Sequence, residues 1–225
     1  MALPKIIVLA NGKGGVGKTA LTRSLAAHWL TAKQSPAIVD ADPQSSIARL
    51  HDPDGLMKKI TVVADAEADG VHHTITELAE RHTPVLVDTA GFRNQTTIMA
   101  AILADVVLIP LKPATEDMLE AIAMYDLIGE LNETPERKGR PITPLMVMTM
   151  AMPNTVIVRH FRQELENGGY PLLETEIAQR VIYPELAIRG LAPSVIDGDS
   201  AASRDIARLA TEITKKVKAH GIKAA

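Results

Sequence analysis

The chain contains no cysteine, few aromatic side chains and no long apolar run. Because all 225 residues lack cysteine, disulfide scaffolds, cysteine nucleophiles, thiolate zinc sites and iron–sulfur clusters are excluded. Aromatic residues make up only 3% of the sequence, so the core must be built from aliphatic side chains and methionine. No stretch approaches the roughly 18 uninterrupted apolar residues of a membrane-spanning helix, and the N-terminus lacks the pattern of a signal peptide. We therefore expect a cytoplasmic protein.

Charge is nearly balanced and the apolar content is ordinary. The sequence has 24 Lys and Arg against 27 Asp and Glu, a net charge of −3, and 46% hydrophobic residues. This composition excludes wholesale disorder and argues against a generic nucleic-acid coat protein. A domain of this length buries roughly 70–75% of its unfolded surface and needs no disulfide or metal to hold it together. We expect one domain spanning residues 1–225.

Short β-branched runs alternate with helical patterns along the chain. Runs typical of buried strands lie at 6–10, 37–39, 61–64, 85–87, 106–109 and 145–149. The spacing of apolar residues predicts helices at about 19–32, 94–104, 116–133, 155–167 and 201–219. Strands separated by helices indicate βαβ units, and hence an α/β fold with a mostly parallel sheet and helices on both faces. The polar, Pro-rich stretch 133–144 is interpreted as a surface loop rather than a domain boundary, because the alternation continues beyond it.

Four methionines alternate along the last predicted strand. Met146, Met148, Met150 and Met152 recur at a period of two, which brings side chains to one side of a strand. Methionine fills irregular gaps in apolar cores. The spacing therefore predicts one packed sheet face.

A glycine-rich segment follows the first strand. Residues 12–19 read Gly-Lys-Gly-Gly-Val-Gly-Lys-Thr and fit the phosphate-loop pattern G-x-x-x-x-G-K-[ST]. Glycines let successive N–H groups turn toward a phosphate, and the following helix N-terminus adds partial positive charge. In such a loop Lys18 neutralises the β- and γ-phosphates, while the Thr19 hydroxyl ligates Mg²⁺. The predicted nucleotide contacts are Gly12, Lys13, Gly14, Gly15, Val16, Gly17, Lys18, Thr19 and Ala20.

A second lysine, Lys13, lies inside this loop. Two nearby cations repel each other unless phosphate lies between them. Lys13 therefore either points to solvent or serves a phosphate, which could belong to the nucleotide of its own chain or to that of a partner.

Carboxylates follow two buried strands. Asp40 and Asp42 come after the second strand, and Asp88 after a later one. Because ligands of open parallel sheets bind at the carboxyl ends of strands, we expect these side chains beside the phosphate loop. A carboxylate there can hold an attacking water in line, and Asp88 is placed to join the Mg²⁺ shell. The alternative for Asp40 and Asp42 is a turn that caps the next helix.

The segment that follows Asp88 contains two further candidate residues, Gly91 and Arg93. Gly91 could offer its N–H to a γ-phosphate, which would make this loop a nucleotide sensor. Arg93 either touches phosphate or is solvated.

The C-terminal segment is basic and amphipathic. Residues 200–225 carry six basic and two acidic side chains, which leaves −7 for residues 1–199. An apolar stripe at helical spacing predicts a helix packed on the body with its basic residues in water. Such a face can bind DNA phosphates in a salt-sensitive manner, whereas the tail lacks the bulky apolar anchors of a membrane-binding helix. The candidate DNA contacts are Arg204, Arg208, Lys215, Lys216 and Lys218.

The loop KGGVGKT, followed by DADPQ at 40–44 and VLVDTAG at 85–91, resembles the deviant-Walker-A ATPases of the ParA/MinD superfamily. Segments 107–113, 175–180 and 194–200 resemble its ParA branch, and the short N-terminus is similar to small ParA proteins without a helix-turn-helix domain. The resemblance implies a weak Mg²⁺-ATPase that forms an ATP-sandwich homodimer. In that dimer Lys13 would reach the partner's nucleotide, Asp42 would position water, and Asp40 would lie nearer Mg²⁺.

The resemblance further implies nonspecific DNA binding by the ATP dimer, nucleoid association, and stimulation of slow hydrolysis by a ParB-type centromere-binding partner during plasmid or chromosome segregation. Alternatives are a ParA-like positioning or conjugation helper, a binding-only switch, and an ATP-dependent ligase of the dethiobiotin synthetase type. A ligase would need a second set of catalytic polar residues, and none is visible. The absence of cysteine excludes the nitrogenase iron protein. Where relatives often carry Arg or Asn near adenine, this chain has Met148-Thr149-Met150-Ala151.

Overall fold

A computed structural model describes residues 3–51, 55–90 and 94–223, with 218–223 described by their backbone alone. Within these ranges the strands form one parallel sheet in the order β3-β2-β4-β1-β5-β6-β7. The α/β prediction of a parallel sheet is therefore confirmed. The strands are β1 (Ile6–Leu9), β2 (Ala37–Ala41), β3 (Thr61–Ala64), β4 (Val85–Thr89), β5 (Val106–Leu111), β6 (Thr143–Ala151) and β7 (Ile177–Ala178).

Helices connect the strands. Two short 3₁₀ turns lie at Leu56–Lys59 and Pro135–Arg137. The α-helices are α1 (Lys18–Thr31), α2 (Ser46–Arg49), α3 (Ala68–Arg81), α4 (Gln95–Leu103), α5 (Thr115–Asn132), α6 (Val156–Asn167), α7 (Ile182–Ala187), α8 (Pro193–Ile196) and α9 (Ala201–Lys223).

Two apolar cores lie on opposite faces of the sheet, because successive side chains of a strand point to opposite sides. In β1, Ile6 and Val8 join the core that packs against α3, α4 and α5. Ile7 and Leu9 join the core that packs against α1 and α9. Both faces are therefore covered, as expected for a parallel sheet of uniformly apolar strands.

Helix α3 is absent from the sequence-based prediction. Its buried residues Val71, Ile75, Leu78 and Ala79 recur at helical spacing and pack against the sheet. The polar residues between them, including His72, His73 and Glu77, obscured this pattern. The stripe was nevertheless present in the sequence.

The prediction of one packed methionine face is wrong for its second half. Met146 and Met148 are fully buried, but Met150 and Met152 are 39% and 56% exposed. The pairing of β6 with β7 shifts register between Thr149 and Ala151, and Met150 has a φ of 49°. This local break in the extended backbone ends the alternation of side chains that the period of two assumed.

Half of the residues in the stretch 133–144 are exposed, as predicted for a surface loop, but β6 already begins at Thr143 and the buried side chain of Arg137 anchors the loop. Arg137 is only 5% exposed. Its guanidinium donates to the carbonyls of Ile102 and Ala104 at 2.9 and 2.7 Å. These carbonyls lie at the end of α4, so Arg137 satisfies acceptors that the helix leaves open.

Helix α9 packs as predicted. Ile206, Leu209, Ala210 and Ile213 are buried in the core shared with α1. No helix in the described part of the chain combines the length and apolar character needed to cross a membrane.

Candidate functional site

The glycine-rich segment forms a loop between β1 and α1. Gly15 and Gly17 have φ values of 72° and 92°, a region that only glycine adopts at little cost. A Cβ on Gly15 would meet nothing within 4 Å, so the requirement there is conformational rather than one of space. Backbone geometry thus explains these two glycines.

Two polar side chains fasten the loop to the sheet. Asn11 is fully buried; its amide donates to the Pro110 carbonyl at 2.8 Å, and its oxygen accepts from the Lys13 N–H at 2.8 Å. The Thr149 hydroxyl, at the end of β6, lies 2.8 Å from the carbonyl of Val16 and 3.1 Å from that of Leu111. Neither residue was predicted to take part in the site.

The side chain of Lys18 lies inside the loop. Its residue is 7% exposed, and its ammonium donates to the carbonyls of Asn11 and Lys13 at 3.1 and 3.0 Å. Burial lowers the pKa of Lys18, while the charges of Asp88 and Asp42 act in the opposite direction. A buried cation in a glycine-rich loop at the start of a helix is placed to neutralise bound phosphate.

Lys13 lies on the outside of the same loop. Its ammonium forms an ion pair with Glu116 in the first turn of α5, with Nζ 2.6 Å from Oε2, and its side chain is 40% exposed. Hydrogen bonding and charge at Glu116 raise the pKa of Lys13. The two lysines of the loop therefore differ in burial and in partners.

Asp40 and Asp88 are neighbours in the pairing of β2 with β4, and both are fully buried. Oδ2 of Asp40 accepts from the N–H groups of Ile47 and Ala48 at 2.8 and 2.9 Å. Oδ1 of Asp40 and Oδ2 of Asp88 are buried without a hydrogen-bond partner among the described residues. Two unpaired oxygens on adjacent strands are a donor set that suits a hard divalent cation such as Mg²⁺.

The environment of Asp88 favours such a cation. Burial and the nearby charge of Asp40 raise the pKa of Asp88 to about 7. Hydrogen bonds from Thr19 and Thr22 oppose this rise only in part. Thr22 Oγ1 lies 3.3 Å from Oδ1 of Asp88. A dication near both carboxylates would offset their repulsion. Thr19, Asp40 and Asp88 thus fit Mg²⁺ in charge and ligand type.

Asp42 lies one residue beyond the end of β2 and is half-buried. Its Oδ1 accepts from the Gln44 N–H at 2.9 Å, a turn of the kind that the alternative interpretation expected. Capping of the next helix falls to Asp40 instead, through Ile47 and Ala48. This turn orients the carboxylate of Asp42 through one of its two oxygens.

A cavity of about 220 Å³ adjoins the loop. Gly17 and Ala20 lie at its edge, and the segment after β7 forms the far wall. Its lining is mostly apolar and includes Leu21, Met150 and Ile177. Met150 thus lines this cavity instead of the core.

The basic face of α9 lies on the surface, but part of its charge is balanced. Arg208 pairs with Asp205, which also pairs with Arg180 at 2.9 Å. Lys215 and Lys216 are exposed and border a groove of about 910 Å³ that also contains acidic side chains. Arg204 is exposed and donates to the Asp199 carbonyl.

Three candidates lie outside what the structure describes. Gly91 and Arg93 fall in the gap at 91–93, and the side chain of Lys218 belongs to the stretch known only by its backbone. Their proposed contacts with phosphate and DNA remain predictions.

A family model described as the CobQ/CobB/MinD/ParA nucleotide binding domain matches residues 7–195. The chain belongs to this family. The match covers the loop, both buried carboxylates and the cavity, and it confirms the resemblance noted in the sequence. The protein is thus an ATPase of the ParA/MinD type.

Individual relatives of this ATPase carry different names. It is 26% identical to Protein ParA of Rhizobium radiobacter over 185 residues, covering 80% of this chain and 81% of the relative. It is 25% identical to the maintenance of carboxysome distribution protein A of Halothiobacillus neapolitanus over 194 residues, 83% of this chain and 85% of the relative. Its fold is similar to that of the septum site-determining protein MinD of Pyrococcus horikoshii complexed with Mg-ADP, with a TM-score of 0.74, 15% identity and coverage of 97% and 98%.

Proposed function

We propose that this ATPase binds ATP with Mg²⁺, forms an ATP-dependent homodimer that binds nonspecific DNA, and partitions DNA while it hydrolyses ATP slowly. The observation that carries the proposal is the division between the two loop lysines. Lys18 is buried among the carbonyls of its own loop, whereas Lys13 is exposed and paired outside it. Only Lys13 is therefore available to a phosphate held by a second copy of the chain.

Each polar group of the site has a role in this proposal. Thr19, Asp40 and Asp88 would hold Mg²⁺, which supplies positive charge beside the phosphates when bound. Lys18 neutralises phosphate from inside the loop. Asp42, half-buried and oriented by the Gln44 N–H, would hold the attacking water in line.

The cavity beside Gly17 suits the base and sugar of the nucleotide. It adjoins the phosphate loop, and its apolar lining offers stacking and van der Waals contact to a planar base. The resemblance places an Arg or Asn near adenine in many relatives, whereas this chain has the run Met148-Thr149-Met150-Ala151 there, of which Met150 lines the cavity. We therefore expect binding of the base to depend on shape more than on side-chain hydrogen bonds.

DNA binding is assigned to the exposed face of α9. A dimer would present two such faces, which would couple DNA affinity to the nucleotide state. Phosphate contacts of this kind release counterions, so binding should weaken steeply with salt. A ParB-type centromere-binding protein is the expected activator of hydrolysis, and the ParA name of one relative supports this assignment.

A second candidate is the positioning of a protein assembly instead of DNA. The relative named for carboxysome distribution is about as similar to this chain as the one named ParA. Both candidates need the same ATP-dependent dimer and differ in the partner that stimulates it.

Sedimentation velocity and DNA binding, measured with ATP and Mg²⁺, with ADP and Mg²⁺, and without nucleotide, test the proposal. We expect dimers and salt-sensitive DNA binding only in the sample that contains ATP and Mg²⁺. K13A should bind nucleotide yet stay monomeric, because only the contact between copies is lost. A wild-type protein that stays monomeric in ATP would contradict the sandwich dimer. A stimulating partner that does not bind DNA would favour the second candidate.

A further inference from the structure

Arg23 is a buried cation that the proposed mechanism does not use. It lies on α1, four residues after Thr19 and therefore on the same helix face. Its neighbour in sequence, Thr22, contacts Oδ1 of Asp88 at 3.3 Å. Arg23 thus occupies the turn of α1 directly below the proposed metal ligand Thr19.

One nitrogen of the Arg23 guanidinium is buried without a partner within the part of the chain that the structure describes. The residue is 4% exposed, and Nη2 is buried without a hydrogen-bond partner among the described residues. Nor does Arg23 form an ion pair within 4 Å in the described ranges. An unpaired buried charge is costly, and an apolar residue would fill the same space without that cost, so packing alone does not explain an arginine.

The charges that act on Arg23 are those of Asp88 and Asp40. Burial lowers the pKa of Arg23, and these two carboxylates raise it. Each carboxylate also keeps one buried oxygen without a partner in the described part of the chain. Arg23 and the two carboxylates, each with one buried polar atom that lacks a partner among the described residues, therefore lie close enough for their charges to act on one another.

We propose that Arg23 is a positioning residue of the metal site, whose buried charge offsets part of the charge of Asp40 and Asp88 and so weakens Mg²⁺ binding until nucleotide is present. The inference rests on the proposed function in one respect, that these carboxylates hold the metal. A fixed cation near the site repels Mg²⁺ through a low-dielectric interior. Nucleotide phosphates add negative charge and overcome that repulsion, so metal and nucleotide would bind together.

The dissociation constant of mant-ADP in EDTA, divided by that in excess Mg²⁺, measures how strongly metal and nucleotide increase each other's affinity for the protein. R23M keeps a long side chain and removes the charge. We expect the ratio to fall about fivefold or more in R23M, because Mg²⁺ would then also bind the nucleotide-free protein and would depend less on nucleotide. R23K keeps the charge, and R49M removes an exposed one from α2. Both should stay within about twofold of the wild type.

A second readout needs no nucleotide. Electron paramagnetic resonance of free Mn²⁺ should show that R23M retains the metal at lower Mn²⁺ concentration than wild type or R49M does. If R23M does not fold by circular dichroism, R23Q is compared in the same two assays.

The outcomes distinguish a failure of the inference about Arg23 from a failure of the proposed metal site. If folded R23M, or R23Q in its place, has the wild-type ratio and Mn²⁺ retention, Arg23 has no influence on the metal and the inference is overturned. If wild-type protein binds mant-ADP equally in EDTA and Mg²⁺, the metal site itself is wrong, and the inference falls with it.

Discussion

The Lys13 ammonium lies 2.6 Å from Oε2 of Glu116 in the first turn of α5. The pair raises the pKa of Lys13 and lowers the pKa of Glu116, so both side chains are charged at neutral pH. Their side chains are 40% and 78% exposed. An ion pair this open is screened by salt and easily exchanged. In the proposed dimer, Lys13 would leave Glu116 for a phosphate of the second copy.

E116Q should favour the dimer. Without the carboxylate, Lys13 no longer has to break an ion pair, so half-maximal dimerisation should need less ATP, and the difference should shrink at high salt. Sedimentation velocity across an ATP titration measures this. E130Q removes an exposed carboxylate from the far end of the same helix and should match wild type. An E116Q protein that needs as much ATP as wild type would show that the pair does not compete with assembly.

K18A should lose nucleotide binding. The substitution removes the buried cation that would face the phosphates, so mant-ATP should bind at least about 100-fold more weakly. Fluorescence titration measures the affinity, and K58A, at an exposed lysine, is the control. If K18A still bound mant-ATP with micromolar affinity, the assignment of this segment as a phosphate loop would be wrong.

Changes at Asp42 should separate hydrolysis from binding. D42A and D42N both lose the carboxylate that would orient water, so ATP turnover should fall at least about tenfold and the ATP-bound dimer should persist. D42N can still accept from the Gln44 N–H, which guards against a merely local structural defect. Turnover by phosphate release and mass by sedimentation are measured together. Near-normal turnover in both variants would remove Asp42 from the mechanism.

T149V should destabilise the protein and weaken nucleotide binding. The substitution removes a hydroxyl whose single proton serves the buried carbonyls of Val16 and Leu111, and the loss should cost about 1–3 kcal/mol in the free energy of unfolding. The phosphate loop would also be less firmly held. Urea unfolding and mant-ATP titration measure the two effects. T149S keeps the hydroxyl and should stay near wild type; if it behaves like T149V, the hydroxyl is not the cause.

K215E with K216E should weaken DNA binding. The double substitution reverses two exposed charges on α9, so ATP-dependent affinity should fall about tenfold or more and its salt dependence should flatten. Filter binding at several salt concentrations measures both quantities. K58E with K59E makes the same charge change at two exposed lysines of a 3₁₀ turn. Equal losses in both double variants would point to net charge instead of a defined α9 surface.

Local chemistry was readable from sequence, whereas contacts between distant residues were not. The loop at 12–19 and the carboxylates Asp40 and Asp88 follow from residue type and short spacing. Thr149 was predicted only as the end of a strand, yet its hydroxyl holds a loop carbonyl 133 positions away. No local pattern distinguishes such a threonine, because its role depends on which strand lies beside the loop.

The sequence by itself determined the alternation of strands and helices, the glycines that permit positive φ in the phosphate loop, and the kinds of polar groups at strand ends. These depend on backbone sterics and on periodicity within a few residues. Only the tertiary structure decided that Asp40 lies beside Asp88, that Lys13 pairs with Glu116, and that Met150 turns from the core to the cavity. Those outcomes depend on strand order and register, which bring residues distant in sequence to within a few ångströms of each other.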